Sequence, residues 1–303
     1  ENNIEKINKK LSINKQTDSP QIKNKDKPKK LKNNLRKLFI NNPSKNKRKY
    51  NFINNFVRSS IYTIYDYLPK SLIFQFRRYA NIYFLIAIIL QFIPIISPLN
   101  PITAVTPFIF VLGVSMIREG IEDLKRHRSD NIENSLKVQI LDNNFDYNVP
   151  FERREIFKSI KSSELQVGNI VRLSKDSVIP ADMIILSCSN PSKTAYIETS
   201  NLDGEKNLKP ILCLLKTFNL IKNIENDKEF TLRGKIKSIL PTTELSTFNA
   251  EIILDGQKSG LKVDKRNFLY KGTTLKDTDW AIGCVVYTGK ETKIIMNINK
   301  SSG

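Results

Sequence analysis

The sequence predicts a membrane-anchored protein in several parts: a disordered basic tail, two transmembrane helices that form a hairpin, and a mostly β domain in the cytosol. Three observations lead to this prediction. Residues 1–55 are rich in Asn and Lys, residues 80–121 contain two long uncharged stretches, and short β-rich runs follow residue 134. A chain of 303 residues is long enough for a membrane part and a folded domain.

The tail carries most of the positive charge. Residues 1–78 hold 20 Lys and Arg against 5 Asp and Glu, which is +15 of the formal +19. A basic block before a hydrophobic segment is typical of a cytosolic flank attracted to anionic lipid. No nucleic-acid partner is expected, because aromatic residues are almost absent before Tyr50 and no binding module is present. Residues 1–55 show no sustained apolar period, so we expect them to be disordered.

Two apolar stretches predict a membrane hairpin with its stalk over residues 56–128. The spans cover residues 80–98 and 102–121, each near the ~20 residues that cross a ~30 Å hydrocarbon layer. Basic residues flank the pair on its outer sides and the connecting turn is uncharged. The positive-inside rule therefore predicts an integral membrane protein with both chain ends in the cytosol. A pair of buried core helices in a soluble domain is the alternative.

Short β-rich runs predict a compact cytosolic domain over residues 129–297. The clearest runs are DMIILSC from Asp182, TAYIETS from Thr194 and WAIGCVVYTG from Trp280. Residues 209–239 are more polar and would suit a helix or an insertion.

Cysteine usage does not predict a metal site. Cys188, Cys213 and Cys284 are odd in number and far apart, and the sequence has the single histidine His127. Structural zinc sites need four Cys or His ligands at close spacings. We therefore expect reduced thiols and no bound metal.

Two groups of residues resemble signatures of a known family. The first group resembles the actuator-domain signature of P-type ATPases and consists of Val167–Asn169 followed by Pro180–Asp182. The second group, Glu198–Lys209, has the sequence ETSNLDGEKNLK. It is very similar to the loop of the type IV branch, the phospholipid flippases. Asp203 favours that branch, because ion-pumping relatives carry Thr-Gly-Glu there. The stretches YDYLPKSLIFQFRRYANIYFL and ISPLNPIT are similar as well, and the resemblance covers about residues 54–297.

The resemblance implies an actuator domain with a distorted β-barrel or jelly-roll-like fold. It also implies that the full-length protein is an ATP-driven phospholipid translocase that uses Mg²⁺ and ATP, neither of which this stretch would bind. The implied partners are the bilayer and its lipid substrate, the phosphorylation and nucleotide-binding domains of the same protein, and an accessory membrane subunit. The family's phosphorylated Asp-Lys-Thr-Gly motif is absent from the sequence. We therefore expect a fragment, inactive alone, that ends in a truncated linker at residues 298–303.

Three residues of the loop are the catalytic candidates that the resemblance implies. Glu205 would hold and polarise a water that attacks an aspartyl-phosphate on another domain. Gly204 would supply a positive φ and close approach to phosphate, and Asp203 would orient the turn through hydrogen bonds to backbone amides. Without the family, Asp-Gly-Glu is only a surface turn. A similar sequence from Asp255 to Gln257 predicts a hairpin turn and no site.

Lys206 departs from the family pattern, which has Thr at this position. A hydroxyl adds no charge, whereas an ammonium would either favour the ionised form of Glu205 or offset phosphate charge. The sequence leaves both effects open.

Gln91 and Phe92 are the candidate substrate-binding residues. Family members often carry polar side chains at both positions of the first span, where these influence headgroup choice, and here only Gln91 is polar. The alternative for Gln91 is an interhelical hydrogen bond or a place near the interface.

Two other functions are open from the sequence. The chain would suit a non-catalytic, membrane-anchored relict module whose loop has lost its chemical role, as Lys206 suggests. An ion-transporting P-type ATPase is disfavoured by Asp203 and by the hairpin sequence.

Overall fold

The computed structural model describes residues 35–63, 65–93, 95, 100, 102–142, 156–221, 232–257 and 259–301. The chain divides into two units, residues 1–35, of which only Leu35 is described, and Arg36–Gly303. The second unit contains a helical part and a β part, which are described in turn.

One strand comes first, four helices follow it, and mostly strands make up the rest of the described chain. The helices are α1 (Pro43–Tyr50), α2 (Tyr67–Phe76), α3 (Tyr79–Gln91), α4 (Ile102–Ser135), α5 (Ser200–Asp203), α6 (Leu215–Ile221) and α7 (Lys293–Ser301). The strands are β1 (Leu35–Ile40), β2 (Lys137–Leu141), β3 (Phe157–Lys161), β4 (Ile170–Ser174), β5 (Asp182–Cys188), β6 (Thr194–Glu198), β7 (Lys209–Leu212), β8 (Gly234–Ile239), β9 (Asn249–Leu254), β10 (Leu261–Asp264), β11 (Phe268–Leu269), β12 (Thr274–Lys276) and β13 (Trp280–Tyr287).

The described strands form three open sheets. Their strand orders are β11-β5-β13-β4-β2-β3, β1-β8-β9-β10 and β12-β6-β7. The mostly β domain is therefore confirmed, but the expected barrel is not closed among the described strands. Hydrophobic alternation predicts which face of a strand is buried, and it does not predict whether the outer strands of a sheet meet.

The six-stranded sheet lies at the centre, because its middle strands are buried on both faces. Ile184 and Leu186 of β5 pack in one apolar cluster with residues of β8 and β9. Met183 and Ile185 of the same strand pack in a second cluster with residues of β6 and β12. Strand side chains alternate between faces, so β5 joins the two other sheets into one core. This explains why residues 183–186 form a continuous apolar run.

The expectation of disorder up to residue 55 is wrong for residues 36–55. Leu38 and Ile40 of β1 are 1% and 2% exposed, and β1 lies beside β8. The buried side chain of Asn46 donates to the carbonyl oxygens of Phe39 and Val167 at 2.8 and 3.0 Å. Composition alone missed this segment because tertiary partners order it. Residues 1–34 lie outside the described residues.

Helix α4 contains the whole second predicted span. It has 34 residues, about 51 Å at 1.5 Å per residue, and is long and apolar enough to cross a membrane. It continues beyond residue 121 to Ser135, so the residues predicted as a stalk are helical.

The first predicted span is not one described helix. Helix α3 ends at Gln91, and residues 94 and 96–99 lie outside the described residues. Helices α2 and α3 are long and apolar enough to cross a membrane only when taken together, and they are bent by 88° at their junction. Arg78 has extended backbone angles between them, which interrupts the helix. The two-helix hairpin is therefore not confirmed.

One face of α4 carries four polar side chains that hold the extended segment 51–63. Glu119, Asp123, Asp130 and Asn134, here called the stalk clamp, recur at spacings of four and seven residues and so share a face of the helix. Asn134 exchanges hydrogen bonds with the main chain of Val57, and Asp130 accepts from the N–H groups of Ser59 and Ser60. Asp123 accepts from the N–H groups of Ile61 and Tyr62. Glu119 accepts from the Tyr62 hydroxyl. The clamp therefore fixes the chain between the β domain and α2.

Asp130 makes three of these bonds. Its carboxylate accepts from Ser59 N and Ser60 N at 2.8 and 3.0 Å and from Ser59 Oγ at 2.6 Å. Burial opposes ionisation of Asp130, but these bonds outweigh it, and the pKa lies below its ordinary value. The stabilisation is therefore fully present above the ordinary carboxyl pKa and is lost as the pH falls through the lowered one.

We predict that Asp130→Ala releases the segment around Ser59 and Ser60. Hydrogen bonds to a charged group contribute about 1.5–3 kcal/mol each, so amide hydrogen exchange at these two residues should accelerate about 10-fold or more. Glu122→Ala is the control, because Glu122 lies on the same helix and pairs only with the exposed Arg118 among the described residues. Unchanged exchange in Asp130→Ala would show that the clamp does not hold the segment.

Candidate functional site

The candidate loop connects two neighbouring strands. Strands β6 and β7 pair antiparallel from Thr194 with Leu212 to Ile197 with Lys209, and residues 199–208 join them. The loop therefore starts and ends at fixed points of the three-stranded sheet. Most of its side chains are exposed.

Two contacts hold the start of the loop, one within the loop and one to a neighbouring turn of the domain. Thr199 is 4% exposed, and its hydroxyl donates to Asp203 Oδ1 at 2.9 Å. Asn201 Nδ2 donates to the carbonyl oxygen of Gly272 at 3.3 Å. The turn that contains Gly272 thus supports the single helical turn α5.

Gly204 ends α5 in the left-handed conformation that the sequence predicts. Its φ is +74°, and its N–H donates to the Ser200 carbonyl oxygen. No atom lies within 4 Å of a Cβ added there, so the turn is open on its outer side. Gly256 has a similar φ of +83°, but it lies between the paired strands β9 and β10, which confirms the hairpin turn predicted there.

Asp203 is the centre of the loop's hydrogen bonds. Its Oδ1 accepts from the N–H of Glu205 at 3.0 Å, as expected, and its Oδ2 lies 2.6 Å from Lys209 Nζ. The Lys209 hydrogen bond, followed by that from the Glu205 amide, lowers the pKa of Asp203 to about 2. The carboxylate therefore stays ionised and holds the turn at ordinary pH.

Glu205 presents its carboxylate to solvent. Its side chain is 57% exposed, and Oε2 lies 2.9 Å from Lys209 Nζ. The carboxylate is thus accessible from outside the domain while its position is restrained. A water or a group of another domain has room to reach it.

Lys209, and not Lys206, is the cation beside Glu205. Sequence reasoning considered Lys206 because it is the next residue, but Lys206 is exposed and has no ion pair among the described residues. Lys209 pairs with both Asp203 and Glu205. The four-residue spacing from Glu205 to Lys209 is a known ion-pair spacing on helices, and it is the sequence signal that could have found Lys209.

Gln91 and Phe92 lie at the end of α3. The Gln91 Oε1 atom is buried and has no hydrogen-bond partner among the described residues, and Phe92 is 62% exposed. The proposed interhelical hydrogen bond of this oxygen is therefore not formed in the described part of the chain. No hydrogen bond or ion pair in that part joins either residue to the loop.

The described residues contain no group of three or more His, Cys, Asp or Glu side chains that could hold a metal ion. Asp203, Glu205 and the Lys209 side chain of β7 are instead arranged as one cation between two carboxylates, and Lys206 lies exposed outside this group. The exposed Glu205 carboxylate can accept a hydrogen bond from water.

Two family descriptions match the chain. Residues 38–105 match the family described as phospholipid-translocating ATPase N-terminal. Residues 148–299, half of the chain, match the P-type ATPase actuator domain. The candidate loop lies inside the second match.

Curated relatives match most of this chain. Phospholipid-transporting ATPase 1 of Arabidopsis thaliana is 32% identical over 262 residues, 86% of this chain and 21% of that protein. Probable phospholipid-transporting ATPase 11 of the same plant is 38% identical over 257 residues, 85% and 20% of the two chains. Phospholipid-transporting ATPase FetA of Mus musculus is 36% identical over 261 residues, 85% and 21%. The chain thus spans about a fifth of the length of these relatives.

We predict that Asp203 is protonated only as the pH falls through about 2, so that its loop bonds are complete above the ordinary value of 3.8. Titration of ¹³C-labelled aspartate in the full chain in detergent would measure this. Lys209→Met should move the midpoint up towards 3.8, and Lys206→Met should leave it unchanged. A midpoint near 3.8 in the unmodified chain would contradict the ion-pair geometry.

Proposed function

We propose that this chain, which belongs to the type IV P-type ATPases, forms the N-terminal region of an ATP-driven phospholipid translocase. The relatives that it matches are named phospholipid-transporting ATPases. The observation that carries the proposal is the exposed Glu205 carboxylate on a turn fixed by Asp203.

Glu205 is the catalytic group in this proposal. Its carboxylate accepts a hydrogen bond from a water placed in line with the phosphorus of an aspartyl-phosphate on another domain, and takes the proton as the water attacks. Hydrolysis of that covalent intermediate is the second half of a two-step phosphoryl transfer. The 57% exposure of the side chain supports this role, because a buried carboxylate would be out of reach of another domain.

Gly204 and Asp203 set the geometry for Glu205. A glycine without Cβ lets the main chain approach a phosphoryl group closely, and the open space at Gly204 supports that role. Asp203 fixes the Glu205 amide at 3.0 Å, which limits how far the catalytic side chain can move. Both residues act through position, since catalysis depends on holding reacting groups in place.

We assign the helical part, about residues 56–128, to the membrane hairpin and stalk, with both ends of the chain in the cytosol. The apolar part of α4 supports one span, and the bent pair α2 and α3 would supply the other. Gln91 is the proposed contact for a lipid headgroup, beside Phe92, because its buried Oε1 has no protein donor among the described residues. A donor group on a headgroup would satisfy it.

ATP and Mg²⁺ belong to other domains of the longer protein in this proposal. The partners of this region are the phosphorylation and nucleotide-binding domains, the phospholipid bilayer, and an accessory membrane subunit. About residues 129–297 act as the actuator domain, and this region alone does not hydrolyse ATP.

We predict that Glu205→Gln in the full-length protein slows decay of the phosphoenzyme by about 10²–10⁴-fold, because an amide cannot take a proton from water. Labelling with γ-³²P-ATP followed by a chase with unlabelled ATP and phospholipid would measure the decay. Glu164→Gln is the matched control, since Glu164 is also exposed and has no ion pair in the described ranges.

Phosphoenzyme should form normally in both variants, which separates a folding defect from a catalytic one. Decay of the Glu205→Gln phosphoenzyme at the unmodified rate would remove Glu205 from the reaction.

A further inference from the structure

Lys209 bridges the two carboxylates of the candidate loop. Its Nζ lies 2.6 Å from Asp203 Oδ2 and 2.9 Å from Glu205 Oε2. Both distances fit charge-assisted hydrogen bonds. One ammonium thus connects the residue that holds the turn with the residue proposed to act on water.

The backbone of Lys209 is more firmly held than that of Glu205. Lys209 is the first residue of β7 and pairs with Ile197 of β6. It is half-buried. Glu205 lies in the exposed turn, and its only main-chain hydrogen bond among the described residues is the one to Asp203. The strand therefore provides a fixed base from which the ammonium reaches the exposed carboxylate.

The Lys209 ammonium also offsets part of the charge of the two carboxylates that it bridges. Two carboxylates alone would carry −2, whereas with the Lys209 ammonium the group carries −1. A phosphoryl group is itself anionic, so a loop with less negative charge meets less repulsion on approach. A single exposed ion pair contributes little to stability. Here, however, one cation binds two carboxylates on either side of Gly204 and so holds the turn between them.

We propose that Lys209 is a positioning residue, which holds the Glu205 carboxylate beside Asp203 and ready for a phosphoryl group of another domain. The inference rests on the proposed function of Glu205. It goes beyond that function because it assigns the geometry of the site to a side chain outside the Asp-Gly-Glu turn. Lys206, although adjacent to Glu205 in sequence, has no part in it.

Decay of the phosphoenzyme in the full-length protein tests this proposal. Lys209→Met should slow decay by roughly 10- to 100-fold, as expected when a reacting group is misplaced. Lys209→Arg should restore most of the rate, because a guanidinium can also bridge two carboxylates. Lys206→Met, which removes an equal charge three residues away, should stay within about twofold of the unmodified rate. Normal phosphoenzyme formation would show that each variant is folded.

A double-mutant cycle distinguishes positioning from a general structural role. If Lys209 acts through Glu205, Lys209→Met should have almost no further effect in a Glu205→Gln background. Equal slowing by Lys209→Met in both backgrounds, equal slowing by Lys206→Met, or no slowing by Lys209→Met would each overturn the proposal. If Glu205→Gln itself decays normally, the proposed function fails first, and that result is recognisable on its own.

Discussion

The site depends on one physical constraint: a carboxylate must stay in water and yet stay in place. In the proposed function, only an exposed side chain can reach a phosphoryl group on another domain, but exposed side chains are free to rotate. The structure meets both needs around Asp203, whose carboxylate binds the Thr199 hydroxyl, the Glu205 amide and the Lys209 ammonium. Asp203 is therefore the residue that turns a surface turn into a defined site.

The rest of the domain supports this arrangement through buried polar contacts. Asp182 is fully buried, and its two carboxylate oxygens accept from the main-chain N–H groups of Lys271 and Lys293, both at 2.8 Å. The contact with Lys271 fixes the turn that contains Gly272. The carbonyl oxygen of Gly272 accepts a hydrogen bond from Asn201 of the loop. The signature residue Asp182 thus positions the site from the core and is not itself part of the chemistry.

The chain also links the β domain to the helices through named contacts. Asn55 is 1% exposed and donates to the carbonyl oxygens of Ser162 and Pro180. From there the stalk clamp holds the chain against α4. Lys271 adds an ion pair of 2.8 Å to Glu133 of the same helix. Movement of the β domain would therefore displace α4, and in the proposed function this link would couple phosphate chemistry to the membrane part.

Local sequence patterns predicted the features that depend on near neighbours. The run from Asp182 to Cys188 is a strand with those bounds, and the positive φ of Gly204 follows from its place in the turn. Features that depend on distant partners were missed. Strand β1 is ordered by β8, about 200 residues away, and the position of Lys209 is fixed by the pairing of β7 with β6. Adjacency in sequence pointed to Lys206, whereas adjacency in space selects Lys209.

The most direct test of the account is a structure of the full-length protein with a phosphate analogue such as beryllium fluoride on its catalytic aspartate. The account predicts the Glu205 carboxylate within about 2.6–3.2 Å of a water in line with the analogue, with Asp203 still bound to the Glu205 amide. A Glu205 side chain turned away from the analogue, or one buried within its own domain, would contradict the assignment of this loop as the group that promotes dephosphorylation.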